Sequence, residues 1–207
     1  MTDAGGGTAG ARGPYANGRA TRHHVLDAAM ALFGEVGYRS ASLREVAARA
    51  GISHPGLMHH FGSKAALLAA VLERRDELDE AAMAADVAAG DDVLTALVRV
   101  VERNVERPRI VQLFVTLSAE ATAPDHPAHA FFAQRYARHV RRTADDLRRL
   151  ADDGRLRPGV DPVVAARLVL ATMDGLQVQW LLAGPTTGAV DMPAEFRALL
   201  ATLVAPD

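Results

Sequence analysis

Apolar residues recur along this chain at three- and four-residue spacing, the period of a helix with one buried face. Val25, Ala28, Ala29, Leu32 and Phe33 form the first stripe. They predict a helix starting after Thr21 and ending at Gly37, a glycine suited to a left-handed stop. A second helix is announced by Ser42 and Glu45, spaced as a capping box, with Leu43, Val46 and Ala47 facing inward. Gly51 ends it and Ile52 closes the cap. Ser53 caps a third helix, with Pro55 in its first turn and Leu57 and Phe61 inward. Ser63 opens a fourth, predicted from Ala65 to about Glu80 and carrying Leu67, Leu68, Val71 and Leu72.

The same period continues, predicting helices over 92–106, 109–120, 127–151, 162–182 and 192–204. Asp161 followed by Pro162 is a cap with proline at the first helical position. The stretch 163–182 is too apolar for a helix with one buried face, so burial on several sides is expected. Arg167, Asp174, Gln177 and Gln179 interrupt it, which excludes a membrane span. The pattern holds no confident strand and no internal repeat. The expected fold class is all-α, a helix-turn-helix domain followed by a second helical domain.

Composition changes this picture in three respects. The start of the chain is rich in glycine and small residues and lacks an apolar run of signal-peptide type, so a cytoplasmic protein with a disordered amino-terminal arm is expected. There is no cysteine, which removes disulfide, thiolate and zinc-thiolate chemistry. The net charge is only -2, but it is unevenly spread. Arg12, Arg19, Arg22, Arg39, Arg44, Arg49 and Lys64 face only Asp27, Glu35 and Glu45 over the early chain. A local basic excess on a helix-turn-helix pattern points to double-stranded DNA.

The run SLREVAARAGISHPGLMHHFGSKAALLAAV at 42–71, preceded by AAMALFGEVGYRSA at 28–41, resembles the TetR family of bacterial transcriptional regulators. The resemblance implies DNA contacts at Ser42, Arg44, Ser53, His54, Pro55, Gly56, Met58, His59 and Lys64, with Lys64 on phosphate. Two positions depart from the pattern. Gly56 stands where a base-contacting Thr is common, and Met58 where a phosphate-binding Tyr is common. Ser42 and Ser53 also read simply as caps, and His60 as a structural histidine beside Phe61.

The resemblance further implies a homodimer built on the last two helices, 162–182 and 192–204, and a small-molecule effector among the central helices. The expected domains are an arm at 1–18, a DNA-binding domain at 19–75 and an effector-binding and dimerisation domain at 76–207. Phe114, Glu120, Phe131, Phe132, Tyr136, Met173, Gln177 and Trp180 are the candidate pocket residues, suggesting a partly aromatic, mostly uncharged effector. Each aromatic also reads as plain core, and Glu120 as a bond to a neighbouring helix. His126 and His129 lack further ligands, so no metal and no cofactor are expected. No spaced nucleophile and base is found, so the chain is not expected to be an enzyme. The favoured reading is a repressor released from a palindromic operator by a small molecule. A constitutive or architectural DNA-binding protein without effector is the alternative.

Overall fold

The structure is a computed structural model that describes residues 14–205. The described residues form nine helices: α1 (Pro14–Val36), α2 (Leu43–Arg49), α3 (His54–Phe61), α4 (Lys64–Ala88), α5 (Val93–Val105), α6 (Pro108–Glu120), α7 (His129–Asp152), α8 (Pro162–Ala183) and α9 (Met192–Ala201). The all-α class expected from the hydrophobic period is therefore the one observed. No described helix is long and apolar enough to cross a membrane.

Local chemistry explains most boundaries. Asp92 caps α5 through a 2.8 Å bond from the Thr95 N–H, and Asp161 caps α8 by accepting from Val163 and Val164. Two helices run beyond their predicted ends. α1 begins at Pro14 rather than after Thr21, taking in residues assigned above to the arm. The rest of the expected arm, Arg12 included, and the side chain of Arg19 lie outside the described residues. α4 continues past Glu80 to Ala88, because AAMAADVA is rich in the strongest helix former and Gly90, at φ 109°, supplies the first break. α9 stops at Ala201, short of the expected 204. Beyond it the backbone pairs with the α7–α8 loop: Arg157 N–H donates to Leu203 O, and Ala205 N–H to Arg155 O.

One hydrophobic core joins Val25, Leu26, Leu32 and Phe33 of α1 with Val46, Leu57, Phe61, Leu67 and Leu72, and continues into Phe114, Leu117 and Phe132 of α6 and α7. The expected domain border at 75/76 falls in the middle of α4, which runs unbroken through both parts. A second core gathers Leu97, Val101, Val169, Trp180, Met192 and Phe196 from α5, α8 and α9.

The expectation that α8 is buried on several sides is not met within one chain. Ala165, Ala166, Val169, Leu176 and Trp180 are buried, but Val164, Leu168, Val178 and Leu182 stand in solvent, Leu182 at 84% exposure. With Ala171 and Gly175 they form one continuous stripe along the helix.

Candidate DNA-binding face and effector cavity

The turn between α2 and α3 is built from the backbone outward. Gly51 takes φ 62°, a left-handed conformation that costs glycine little. Gly51 N–H donates to Ala48 O, and Ile52 N–H reaches back to Ala47 O at 3.0 Å. Buried Val46, Ala47 and Leu57 then fix the two helices against α1 and α4. Ser42 Oγ accepts from Glu45 N–H and Ser53 Oγ from Gly56 N–H, each at 3.1 Å. Both serines therefore cap in the free protein, and both remain exposed.

This construction leaves Ser42, Arg44, Ser53, Pro55 and His59 exposed, with His54, Gly56 and Met58 half-buried between them. The acidic groups nearby are occupied: Arg49 holds Glu35 at 2.7 Å and Glu45 at 3.7 Å. Arg44 has no ion-pair partner among the described residues. His60 is exposed, its ring 6.2 Å from that of Phe61, so it borders the core rather than entering it. Gly56 has a local reason as well. A Cβ there would come within 3.1 Å of Ser53 Oγ and crowd the cap.

Lys64 is folded inward in the free protein. Its ammonium donates to Arg39 O at 2.9 Å and lies 4.8 Å from the centre of the Tyr38 ring. Burial pushes its pKa down. Arg39 in turn meets Glu120 at 3.6 Å. Glu120 thus sits in the cleft between the α1–α2 turn and α6, away from the central cavity. His126 and His129 pin the α6–α7 loop. Nδ1 of His126 accepts from Ala128 N–H, and His129 Nδ1 lies 2.8 Å from Ala121 O. Among the described residues no group of three or more His, Asp or Glu side chains is arranged to hold a metal ion.

A cavity of about 210 Å³ lies among α4, α5, α6, α7 and α8. Phe114, Phe132, Tyr136, Met173 and Gln177 line it, as the candidate list has them. Three other candidates lie elsewhere. Glu120 is in the cleft just described, Phe131 packs half-buried on the first core, and Trp180 is buried in the second. The lining is also far more charged than expected, for it includes Arg75, Asp76, Asp79, Glu80, Arg135, His139, Arg142, Asp146 and Asp174.

These charges form a dense network. Arg75 is buried, 4.0 Å from the centre of the Phe114 ring. Its Nε is 3.0 Å from Asp79, close enough for an ion pair although not aligned as a hydrogen bond. Burial lowers its pKa to about 10. Asp76 accepts from Arg135 at 2.9 Å and Arg138 at 3.0 Å. Burial opposes its charge, but His139, Arg135 and Arg75 outweigh that and hold the carboxyl at about 2. Tyr136 donates to Asp174 at 2.7 Å, and burial, with the Asp174 charge behind it, pushes the phenol up to about 12.

The helix-turn-helix head with its exposed, cation-bearing face defines a DNA-binding protein of the helix-turn-helix class. The model for bacterial regulatory proteins of the tetR family matches residues 25–71, and that described as BetI-type transcriptional repressor, C-terminal, matches residues 90–205. The chain belongs to the TetR family. Over 53 residues it is 47% identical to the HTH-type transcriptional activator FasR of Mycolicibacterium smegmatis, covering 26% of this chain and 24% of that one. It is 24% identical over 165 residues to the A-factor receptor protein of Streptomyces griseus, covering 76% and 54%. The chain thus matches between a quarter and about half of the length of these relatives. The structure of SmeT in complex with triclosan superposes with a TM-score of 0.74 at 26% identity, over 90% of this chain and 92% of that one.

Proposed function

We propose that this chain is a dimeric repressor that holds a palindromic operator through α2, α3 and the start of α4, and leaves it when a small molecule fills the central cavity. The carrying observation is the α2–α3 face, where Arg44 stands exposed without an acidic partner and two capped helix starts point outward. Helix starts carry free N–H groups and a positive partial charge suited to phosphate. Ser42, Ser53, His54, Pro55 and His59 surround them, and Gly56 and Met58 offer close backbone and apolar contact. Such a protein works in the cytoplasm, where its DNA is.

The α8 stripe supports a second copy as the neighbour, with α9 beside it, since a two-fold axis would bury both copies of the stripe at once. The cavity supports an effector over the constitutive alternative, which calls for a filled core. SmeT in complex with triclosan and a relative known as a receptor favour the same choice. α4 carries Lys64 at one end and Arg75, Asp76 and Asp79 at the cavity wall, so a ligand that prefers one placement of α4 shifts the DNA-binding head.

Selection from a random double-stranded DNA pool at fixed salt tests this reading. The expected result is an enriched palindrome bound by two chains. No enrichment by folded protein would refute it. On the selected site, Lys64→Ala should weaken operator and random DNA alike and lower the salt slope by about one. Arg44→Ala should cost about 1–3 kcal/mol and relax the preference at one base pair in each half-site. Equal loss on all sequences would reassign Arg44 to phosphate.

A further inference from the structure

α3 carries no permanent charge. Its sequence, HPGLMHHF, holds no Lys, Arg, Asp or Glu, and its only ionisable groups are His54, His59 and His60. The permanent cations of the face stand beside it, Arg44 on α2 and Lys64 at the start of α4. Five of the chain's eight histidines fall between residues 23 and 60.

Packing singles out one of the three. Leu57 and Phe61 turn the inner face of α3 to the core. His59 stands on the opposite side, exposed, one turn after exposed Pro55. His54 is half-buried, and His60 lies on the flank beside Phe61. His59 is thus the ionisable side chain at the centre of the outward face, its ring 5.9 Å from that of His60.

Among the described residues no carboxylate lies within ion-pair distance of His54, His59 or His60. Around α3, α1 brings Arg22, 5.2 Å from the centre of the Phe61 ring, and the exposed His23 and His24. α2 brings Arg44, Glu45 and Arg49, and the first turns of α4 bring Lys64. The acids of α1 and α2 are engaged, Glu35 and Glu45 by Arg49 and Asp27 by Arg74 at 3.7 Å. By contrast, His126 and His139 of the second half have Glu120 at 3.6 Å and Asp76 at 3.9 Å. The anion that a protonated His59 lacks inside the protein is the one DNA supplies. Imidazole changes charge between roughly pH 5 and 8. Protonated, it has two N–H donors and no acceptor, which suits phosphate oxygens and the O6 and N7 of guanine, all acceptors. A neighbouring phosphate also favours the charged form.

Resting on the reading of α2 and α3 as the DNA-binding face, we propose that His59 is a proton-dependent DNA contact. α3 takes about one proton per half-site from solvent as it enters the major groove, so operator affinity rises as pH falls from 8 to 6. The sign follows from linkage: the complex holds more protons than the free partners, and a higher proton concentration favours it.

The test is titration of a palindromic duplex from the random-pool selection, and of an unrelated duplex, with the full chain at pH 6, 7 and 8 and constant ionic strength. Calorimetry in two buffers of different ionisation enthalpy then counts the protons. Wild-type protein is expected to bind the palindrome at least about tenfold tighter at pH 6 than at pH 8, with net proton uptake. His59→Gln should hold its affinity within about threefold across that range and lose the uptake, while His60→Gln keeps the wild-type pH dependence. If H59Q binds too weakly to measure, His59→Lys, a cation at every pH used, should bind without pH dependence. A salt slope steeper by about two at pH 6 than at pH 8 would support the proposal with phosphate as the acceptor in each half-site. An unchanged salt slope, with lost preference at one base pair in H59Q, would support it with guanine. Affinity of wild-type protein that does not change with pH would overturn it, as would full pH dependence retained in H59Q. Binding of neither duplex at any pH, by folded protein, would count against the DNA-binding reading itself.

Discussion

Asp76→Ala is expected to destabilise the protein by about 3–5 kcal/mol, because it strips the common partner from a buried cluster of cations. The carboxylate meets Arg135 at 2.9 Å, Arg138 at 3.0 Å and Arg75 at 3.9 Å, and is 5% exposed. Removing it leaves Arg75 and Arg135 charged in a site that water barely reaches. For a chain of this length the melting temperature should fall by roughly 6–20 °C, compared at fixed protein concentration since dimerisation adds to it. Glu80→Ala is the control. It also pairs with Arg138 but is 39% exposed, and should cost under about 1 kcal/mol. A loss below that level in D76A would mean that water reaches the cluster.

The same residue sets part of the acid limb. The folded carboxyl is held at about 2 against an ordinary 3.8, so its contribution is complete above 3.8 and is lost as pH falls toward 2. Integrated, that is about 2 kcal/mol. Asp146 and Asp174 have the opposite sign, since burial raises both. Their cost is present at neutral pH and is relieved as pH falls through their raised values toward the ordinary range. Denaturant titrations at pH 7, 5 and 3 should show D76A losing less stability than wild type over the last interval.

The second large effect concerns α8. Leu168→Glu is expected to split the dimer. Leu168 is 56% exposed in the single chain, one turn in from the start of the stripe that also holds Val164, Ala171, Val178 and Leu182. A carboxylate there costs the isolated chain almost nothing, yet at a two-fold seam it buries two like charges. Sedimentation should show one chain where wild type shows two, with unchanged helicity. Operator affinity should fall about 100-fold or more, because the second half-site no longer benefits from the tether to the first. An intact L168E dimer would move the interface elsewhere.

The DNA-binding head was legible because its signals are local. Ser42, Ser53 and Ser63 cap their own helices, Gly51 makes its own turn, and Leu57 and Phe61 need only helical spacing to face inward. The cavity was legible only in its apolar part. In ERRDELDE the charges read as the solvated face of a helix. Their burial is decided by α5, α6 and α7 closing over them, and partners such as Arg135 and Asp76 are 59 residues apart. Trp180 shows the reverse error. An aromatic three residues from Gln177 lies almost on the same helix face, yet its ring packs with the α5–α9 core instead of the cavity. The exposed stripe of α8 was read correctly as surplus apolar surface. Its cover was expected from a second copy, and only through the family resemblance, because the sequence pattern does not say which chain supplies it.

The continuity of α4 has a geometric consequence. Eleven residues separate Lys64 from Arg75, about 16 Å along the helix axis. A tilt of roughly 5° pivoting at the cavity wall would carry the Lys64 end by about 1.4 Å. In a two-fold dimer the opposite heads move in mirrored directions, so their separation would change by about 3 Å, close to the rise of one base pair. An effector-bound dimer of this geometry would therefore miss its operator by about one step of the duplex, and because each added base pair also turns one half-site by roughly 35° about the axis, no respacing by a single base pair would restore the fit.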